Sequence, residues 1–484
     1  MAEILLAILL VPLVAAAFSY WLPDARWARG VTVAAALAVA VLVSIVDLRV
    51  SRTGPVSTTG GVLAVDALSA LYLGLVAIVG LAAALYSWGY LPARHEPGAA
   101  RLRLYYALFN LFLASLLAVP LLSDLVLIWI AIDLTTLLSA FLVAFEGRRP
   151  MLEAAWKYVT LTTMGALIAL PGFLLLAFAL TSAGLPVHWQ ALVPLAGHVS
   201  PAIAFAAFLL ILVGFGAKAG LVPMHTWLPD AHSQAPAPVC AVLSGVETTA
   251  AIYVLFRLFP MLSLLRPAAA SAWYIVPGLI SVGVAALLLV QVRDFKRLFA
   301  FSTVEHMGIL LVACGLASRA SQLGAVYQML GHSLVKPFCF FAAGLATIAV
   351  GTQEIAATRG LLRRSPLVAT ALLVGGLAIA GAPPFPLFVS EVSIIWGGFA
   401  AGRWLATTLL VVFVVVAFCA IMYHLVGMTF GEVAEADTPA PALPRSPWTA
   451  LLLVGIPALA LGIYLPGPLA TLVHQAALAL RTGP

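Results

Sequence analysis

Fourteen apolar runs, each long enough to cross a bilayer and joined by short loops, restrict this chain to one class of fold. They fall at about residues 4–22, 30–49, 62–90, 104–122, 125–145, 156–183, 201–222, 239–259, 271–291, 298–316, 325–350, 367–395, 404–430 and 447–476. Lipid cannot satisfy backbone N–H and C=O groups, so each crossing must pair them internally, which about 20 residues of helix achieve. The expected fold is an all-α polytopic membrane protein of about 14 transmembrane helices, one integral domain over 1–484. Composition agrees: only 9% of residues are charged, against about 25% in ordinary soluble domains. Nucleic-acid binding has no support, since no basic cluster is denser than Arg363-Arg364 or Lys296-Arg297. The first run, Ile4 to Trp21, lacks a basic n-region and an A-x-A site, which reads as a retained helix rather than a signal peptide.

The loops set orientation. Fifteen of the 24 Lys and Arg residues fall in odd-numbered loops, seven fall in even-numbered loops and the tail, and Lys218 and Lys336 lie within spans. Positive charge accumulates on the cytoplasmic side. The expected location is therefore the inner (cytoplasmic) membrane, with both termini outside, which an even number of spans permits. The acidic, Pro-rich stretch Gly431 to Pro447 reads as a solvated loop. Cys240, Cys314, Cys339 and Cys419 form no C-x-x-C pattern. They read as small hydrophobes, and no redox cofactor or metal is expected on this chain.

Two spans are interrupted alike. The seventh carries Gly214, Gly216, Gly220 and Pro223 around Lys218; the twelfth carries Gly381-Ala382-Pro383-Pro384-Phe385-Pro386 ahead of Glu391. A cation at membrane depth costs about 2.5–3.5 kcal/mol on insertion scales. Broken backbone at that depth is tolerated only beside packed protein or water. Corresponding broken helices in two halves are the sequence mark of a transport site. The breaks lie five helices apart, so helices 4–8 and 9–13 are expected to form two inverted repeats, over 104–259 and 271–430. Peripheral helices (1–103) would precede them and a final helix (447–484) would follow. Charge plus break points to a chain that moves a cation, with the Lys and His content favouring a proton over sodium.

Other polar residues inside apolar runs extend that path. Asp133 has no ionisable neighbour within eight positions, and Lys218 is its expected partner. A lysine whose proton affinity depends on a nearby carboxylate can switch between carrying and releasing a proton. Gln328, His332 and Lys336 recur at i, i+4 and i+8 on one face of helix 11, the spacing of a relay. Glu247 is a mid-span acid. Glu391 reads either as an exit carboxylate or as a charge favoured at a helix start. Glu305 and His306, near the start of helix 10, read as a proton intake or a solvated end. His225 and His232 flank the helix 7 break as accessory candidates, and with Asp230 they have no metal-ligand spacing.

Four motifs now carry a resemblance: His225 to Val239 (HTWLPDAHSQAPAPV), Phe295 to Gly308 (FKRLFAFSTVEHMG), Gly331 to Gly344 (GHSLVKPFCFFAAG) and Ala382 to Glu391 (APPFPLFVSE). Together they resemble the antiporter-like subunits of respiratory complex I, membrane-bound hydrogenases and multisubunit Na+/H+ antiporters. The hydrogenase-4 component F branch is the most similar. The resemblance implies fourteen helices, inverted five-helix repeats, broken helices 7 and 12, and a central charged axis that moves protons. It implies that Lys218 is the helix 7 lysine, Glu391 the helix 12 charged position and Lys336 a helix 11 lysine of some members. Asp133 stands where the family usually has a glutamate. Thr249 stands where many members have a helix 8 lysine or histidine, so the bridge between half-channels lacks its usual titratable group. The implied partners are other membrane subunits with peripheral iron–sulfur or hydrogenase-like proteins. The alternatives are a gradient-driven ion or inorganic-carbon system, or a scaffold with an impaired channel.

Overall fold

The computed structural model describes residues 1–94, 98–432 and 441–481. Six helices open the chain: α1 (Ala2–Trp21), α2 (Ala25–Thr53), α3 (Ala67–Arg94), α4 (Ala99–Leu121), α5 (Leu125–Val143) and α6 (Arg149–Ser182). The seventh span is two helices, α7a (Pro201–Ala219) and α7b (Trp227–Gln234). Then come α8 (Ala237–Leu265), α9 (Pro267–Val290), α10 (Phe295–Gly315) and α11 (Arg319–Val350). The twelfth span is again two helices, α12a (Pro366–Ile379) and α12b (Pro386–Ala400), followed by α13 (Trp404–Phe430), α14 (Ser446–Ile463) and α15 (Gly467–Ala479). Among the described residues thirteen segments are long and apolar enough to cross a membrane, and α12a and α12b are shorter apolar helices within the remaining predicted span. A hairpin of two-residue strands, Val56–Ser57 and Ala64–Val65, joins α2 to α3.

Polar caps fix where helices begin. Asp24, Asp124, Ser200 and Asp294 each accept a backbone N–H from the first turn of α2, α5, α7a and α10, and Ser318 forms a capping box with Ser321 at α11. Each such cap contributes about 1 kcal/mol. Pro201, Pro267, Pro366 and Pro386 sit in first turns, where a missing N–H costs nothing.

The structure corrects the sequence reading at the C-terminal end. The predicted final helix over 447–476 divides into α14 and α15 around Tyr464-Leu465-Pro466, because Pro466 and Pro468 cannot donate to a continuing helix. Residues 433–440 of the expected acidic loop lie outside the described residues, and its end, Ser446-Pro447, already belongs to α14. Cys419 is exposed, whereas Cys240, Cys314 and Cys339 are buried as expected.

The core runs through α3, α8, α10 and α11, with α8 buried along its whole apolar window. The two breaks are built the same way. Gly220 (φ 78) and Gly381 (φ 74) take the left-handed conformation. The next residue's N–H then reaches back five residues, Leu221 to Gly216 O at 2.8 Å and Ala382 to Leu377 O at 3.0 Å. That closure satisfies a terminal carbonyl and turns the chain out of the helix.

Candidate functional site: two buried lysines and the turn between them

Lys218 lies on the last turn of α7a, two residues before the break, and its side chain is 3% exposed. Its partner is Glu247 of α8, with Nζ 2.6 Å from Oε1. Nζ also donates to Thr136 Oγ1 at 2.5 Å. The same Glu247 oxygen accepts from Tyr158 Oη at 2.7 Å, Thr135 Oγ1 at 3.0 Å and Ser139 Oγ at 3.2 Å. Removing one member of such a buried pair costs about 3–5 kcal/mol, because the other charge is stranded. Glu247 Oε2 is buried with no hydrogen-bond partner among the described residues.

Lys218 is therefore in contact with Glu247 rather than with the expected Asp133, which attracts it only from beyond ion-pair distance. Asp133 is half-buried at the edge of the site, and its Oδ1 has no hydrogen-bond partner among the described residues. The face of α5 turned to Lys218 and Glu247 carries Thr135, Thr136 and Ser139 instead. Those hydroxyls and Tyr158 escaped the sequence reading. Their signal was present in the Thr135-Thr136 pair and Ser139 one turn later, within an otherwise apolar span.

Lys336 of α11 is fully buried but differently held. Its Nζ donates to the Phe299 carbonyl at 2.7 Å and Ser302 Oγ at 2.5 Å, both on α10. Among the described residues no carboxylate lies within ion-pair distance of it. Glu305, one turn beyond Ser302 on α10, is buried with its Oε2 unpartnered among the described residues. The solvated-end reading of Glu305 and His306 therefore fails: α10 is buried along this stretch.

His306, His332 and Gln328 form a connected set. A carbonyl only accepts, so His306 donates from Nε2 to Ile379 O (3.1 Å) and its Nδ1 faces the Gln328 amide at 3.1 Å. Ile379 ends α12a, so His306 satisfies a carbonyl that the helix break leaves free. Ser390 donates to Gln328 Oε1, and Glu391 beside it is buried against Gly381 at the break. Glu391 is therefore enclosed, and it stands five residues into α12b, beyond the first turn. The His306 and His332 rings lie 5.2 Å apart, and His332 donates from Nε2 to Ser244 O at 3.0 Å.

Ser244 and Glu247 belong to one π-helical turn of α8, Leu243–Glu247. π turns inside α-helices concentrate at functional sites. Here the turn offers Glu247 to the first lysine and the Ser244 carbonyl to His332. Gly245 lets α11 approach, because a Cβ there would lie 2.9 Å from Pro337 Cγ. Thr249 is buried two residues beyond the turn, with its hydroxyl on Gly245 O at 3.3 Å.

The remaining candidates sit toward the basic-loop face. His232 is buried on α7b, with Nδ1 2.9 Å from Leu228 O and Nε2 unpartnered among the described residues. His225 is half-buried in the break. Lys296, counted with the loop cations, is in fact buried, and it donates to Ser233 O (2.9 Å) and Ala235 O (2.7 Å) at the end of α7b. A cation against terminal carbonyls complements the helix dipole. Asp230 of α7b bridges Lys157 (3.1 Å) and Arg297 (2.5 Å), tying that half-helix to α6 and α10.

The family model described as NADH:quinone oxidoreductase/Mrp antiporter, TM, matches residues 122–418, and so takes in Asp133, Lys218, Glu247, Lys336 and Glu391. The chain belongs to that family. A second model, described as the N-terminus of chain 5 of NADH-ubiquinone oxidoreductase (complex I), matches residues 61–102. The hydrogenase-4 component F homolog of Methylacidiphilum infernorum is 34% identical over 416 residues, 84% of this chain and 86% of that protein. Among solved structures, a chain of the archaeal membrane-bound sulfane sulfur reductase superposes with TM-score 0.87 at 23% identity, covering 99% of this chain and 98% of that one. A chain of the Mrp complex from Dietzia sp. DQ12-45-1b gives TM-score 0.87 at 22% identity over 100% and 98%. These likenesses show a shared fold, and the family assignment makes the chain an antiporter-like membrane subunit.

Proposed function

We propose that this subunit translocates protons within a redox-driven membrane complex and carries no redox cofactor of its own. The observation that supports this reading is the pair of buried lysines in unlike surroundings, with one π turn joining the first of them to His332, one turn before the second on α11. Lys218 is neutralised by Glu247, while Lys336 is held by neutral oxygens. A carboxylate in contact makes the first lysine sensitive to any movement of its partner, and the second has no such partner among the described residues. Loosening the Lys218–Glu247 pair would send a proton from Lys218 toward the α8 turn. From there the path runs to His332, His306 and Gln328, then Glu391, with Lys336 biasing the proton's passage by its charge. Asp133 is an outlying acid of the first half, Glu305 an accessory acid of the second, and His225 and His232 lie toward the intake. The matched break geometry supports two inverted repeats over helices 4–8 and 9–13. The loop charges support placement in the inner membrane with both termini outside.

The partners follow from this reading: neighbouring membrane subunits, and peripheral iron–sulfur or hydrogenase-like proteins that supply the driving reaction. Extraction in mild detergent and mass spectrometry of the co-purifying chains tests this. A soluble partner without redox centres would replace the reading with gradient-driven ion or inorganic-carbon transport. Thr249 favours a second reading, a scaffold whose channel lacks its bridge. Proton flux through the native complex in liposomes eliminates the scaffold, and its absence eliminates the pump.

A further inference from the structure

Away from the charged axis, a cavity of about 630 Å³ opens on the membrane side of α2, α3, α11, α14 and α15. Its wall is apolar almost throughout, with Leu334, Pro457 and Leu469 among the lining residues, and Asp47 stands out in it. Asp47 lies on α2, within two turns of its C-terminal end. Among the described residues its Oδ1 is buried without a hydrogen-bond partner, and no cation lies within ion-pair distance. Ser44, one turn earlier in the same cavity, does not serve it, since its hydroxyl donates to Ala40 O at 2.8 Å. Room for the carboxylate comes from α3: a Cβ on Gly74 would lie 2.8 Å from Asp47 Oδ2.

An acid in a membrane helix is costly unless something answers it. Nothing described in this chain does. Concave, mostly apolar recesses of about 300–1,000 Å³ with one or two placed polar groups are the usual form of small-molecule sites. The lining stretch of α2, Ala40 to Leu48, spans about 12 Å at 1.5 Å per residue. A recess this long and this small admits a hydrocarbon chain but not a partner helix of about 10–12 Å diameter. Asp47 stands six residues from the C-terminal end of α2, about 9 Å along its axis, and so toward one end of the span.

We propose that this cavity is a binding site for an amine-headed phospholipid, with an acyl chain in the Leu-lined recess and the ammonium on Asp47. The site is independent of the proton path, so it stands or falls apart from the transport reading. The test is native mass spectrometry of the intact complex after exchange into nanodiscs of phosphatidylethanolamine mixed equally with phosphatidylglycerol. The wild type should retain phosphatidylethanolamine. Asp47→Asn should weaken that preference about tenfold, as loss of one charge-assisted hydrogen bond implies. Gly74→Val, which displaces the carboxylate without altering its charge, should do the same and keeps the test usable if the first variant assembles poorly. Equal retention of both lipids by the wild type would overturn the proposal. So would an unchanged preference in both variants, or an Asp47→Cys variant that cross-links to a partner subunit's helix.

Discussion

The two buried lysines show how one protein holds a cation at membrane depth in two ways. Lys218 is neutralised: a carboxylate 2.6 Å away and a hydroxyl answer it, and four groups converge on a single Glu247 oxygen. Lys336 is solvated by protein, with a carbonyl and a hydroxyl in place of water. The first arrangement is a strong, local attraction that depends on the partner's position. The second is a weaker well whose occupancy responds to distant charge. A relay that moves protons in one direction needs both, a tightly held donor and a loosely held neighbour.

The largest expected effect follows from breaking the first arrangement. Lys218→Met should abolish proton transport and lower stability by about 3–5 kcal/mol, since Glu247 is left buried and unpaired. The double variant Lys218→Met/Glu247→Gln should recover most of the stability and none of the transport. Thermal unfolding of the solubilised complex and proton uptake in liposomes separate the two. Transport by the single variant would end the proposed role of Lys218. Lys336→Met should slow transport sharply but cost only about 1–3 kcal/mol, the penalty of leaving neutral acceptors unsatisfied. Equal losses for Lys336 and Lys218 would erase the contrast between neutralised and solvated lysines.

Smaller effects sharpen it. Tyr158→Phe removes one of the hydrogen bonds to Glu247 and should cost about 1.5 kcal/mol, with transport slowed but not stopped. If its transport matches the wild type, the hydroxyl only packs. Asp133→Asn should change stability by less than about 0.5 kcal/mol, because the acid supports no ion pair. A stability loss as large as that of Lys218→Met would restore Asp133 as the principal partner of Lys218.

The sequence made the breaks legible because Gly and Pro leave few alternatives. It did not reveal which acid meets Lys218. Asp133 is the isolated acid of its span and draws the eye, yet it sits at the edge of the site. Glu247 is 29 positions away from Lys218 in sequence and ends a π turn, whose extra residue shifts which side chains face the lysine. A calculation that assumes regular helix across Leu243–Glu247 misplaces it. Lys296 was misread for a related reason: its position at a helix start suggests a loop cation, and only the packing of α7b over it shows the carbonyls it caps.

What the sequence determined by itself is the membrane class, the number and rough bounds of the spans, the positions of the two breaks and the family. Each of these rests on local rules, the pairing of backbone groups in lipid and the backbone limits of Gly and Pro. The tertiary structure alone decided which buried charge meets which, that Glu305 and Glu391 are enclosed, and that one turn of α8 serves both Lys218 and His332. Those depend on how helices rotate about their axes as they pack, and a composition of Ala, Leu and Val, alike on every face, encodes that rotation only weakly.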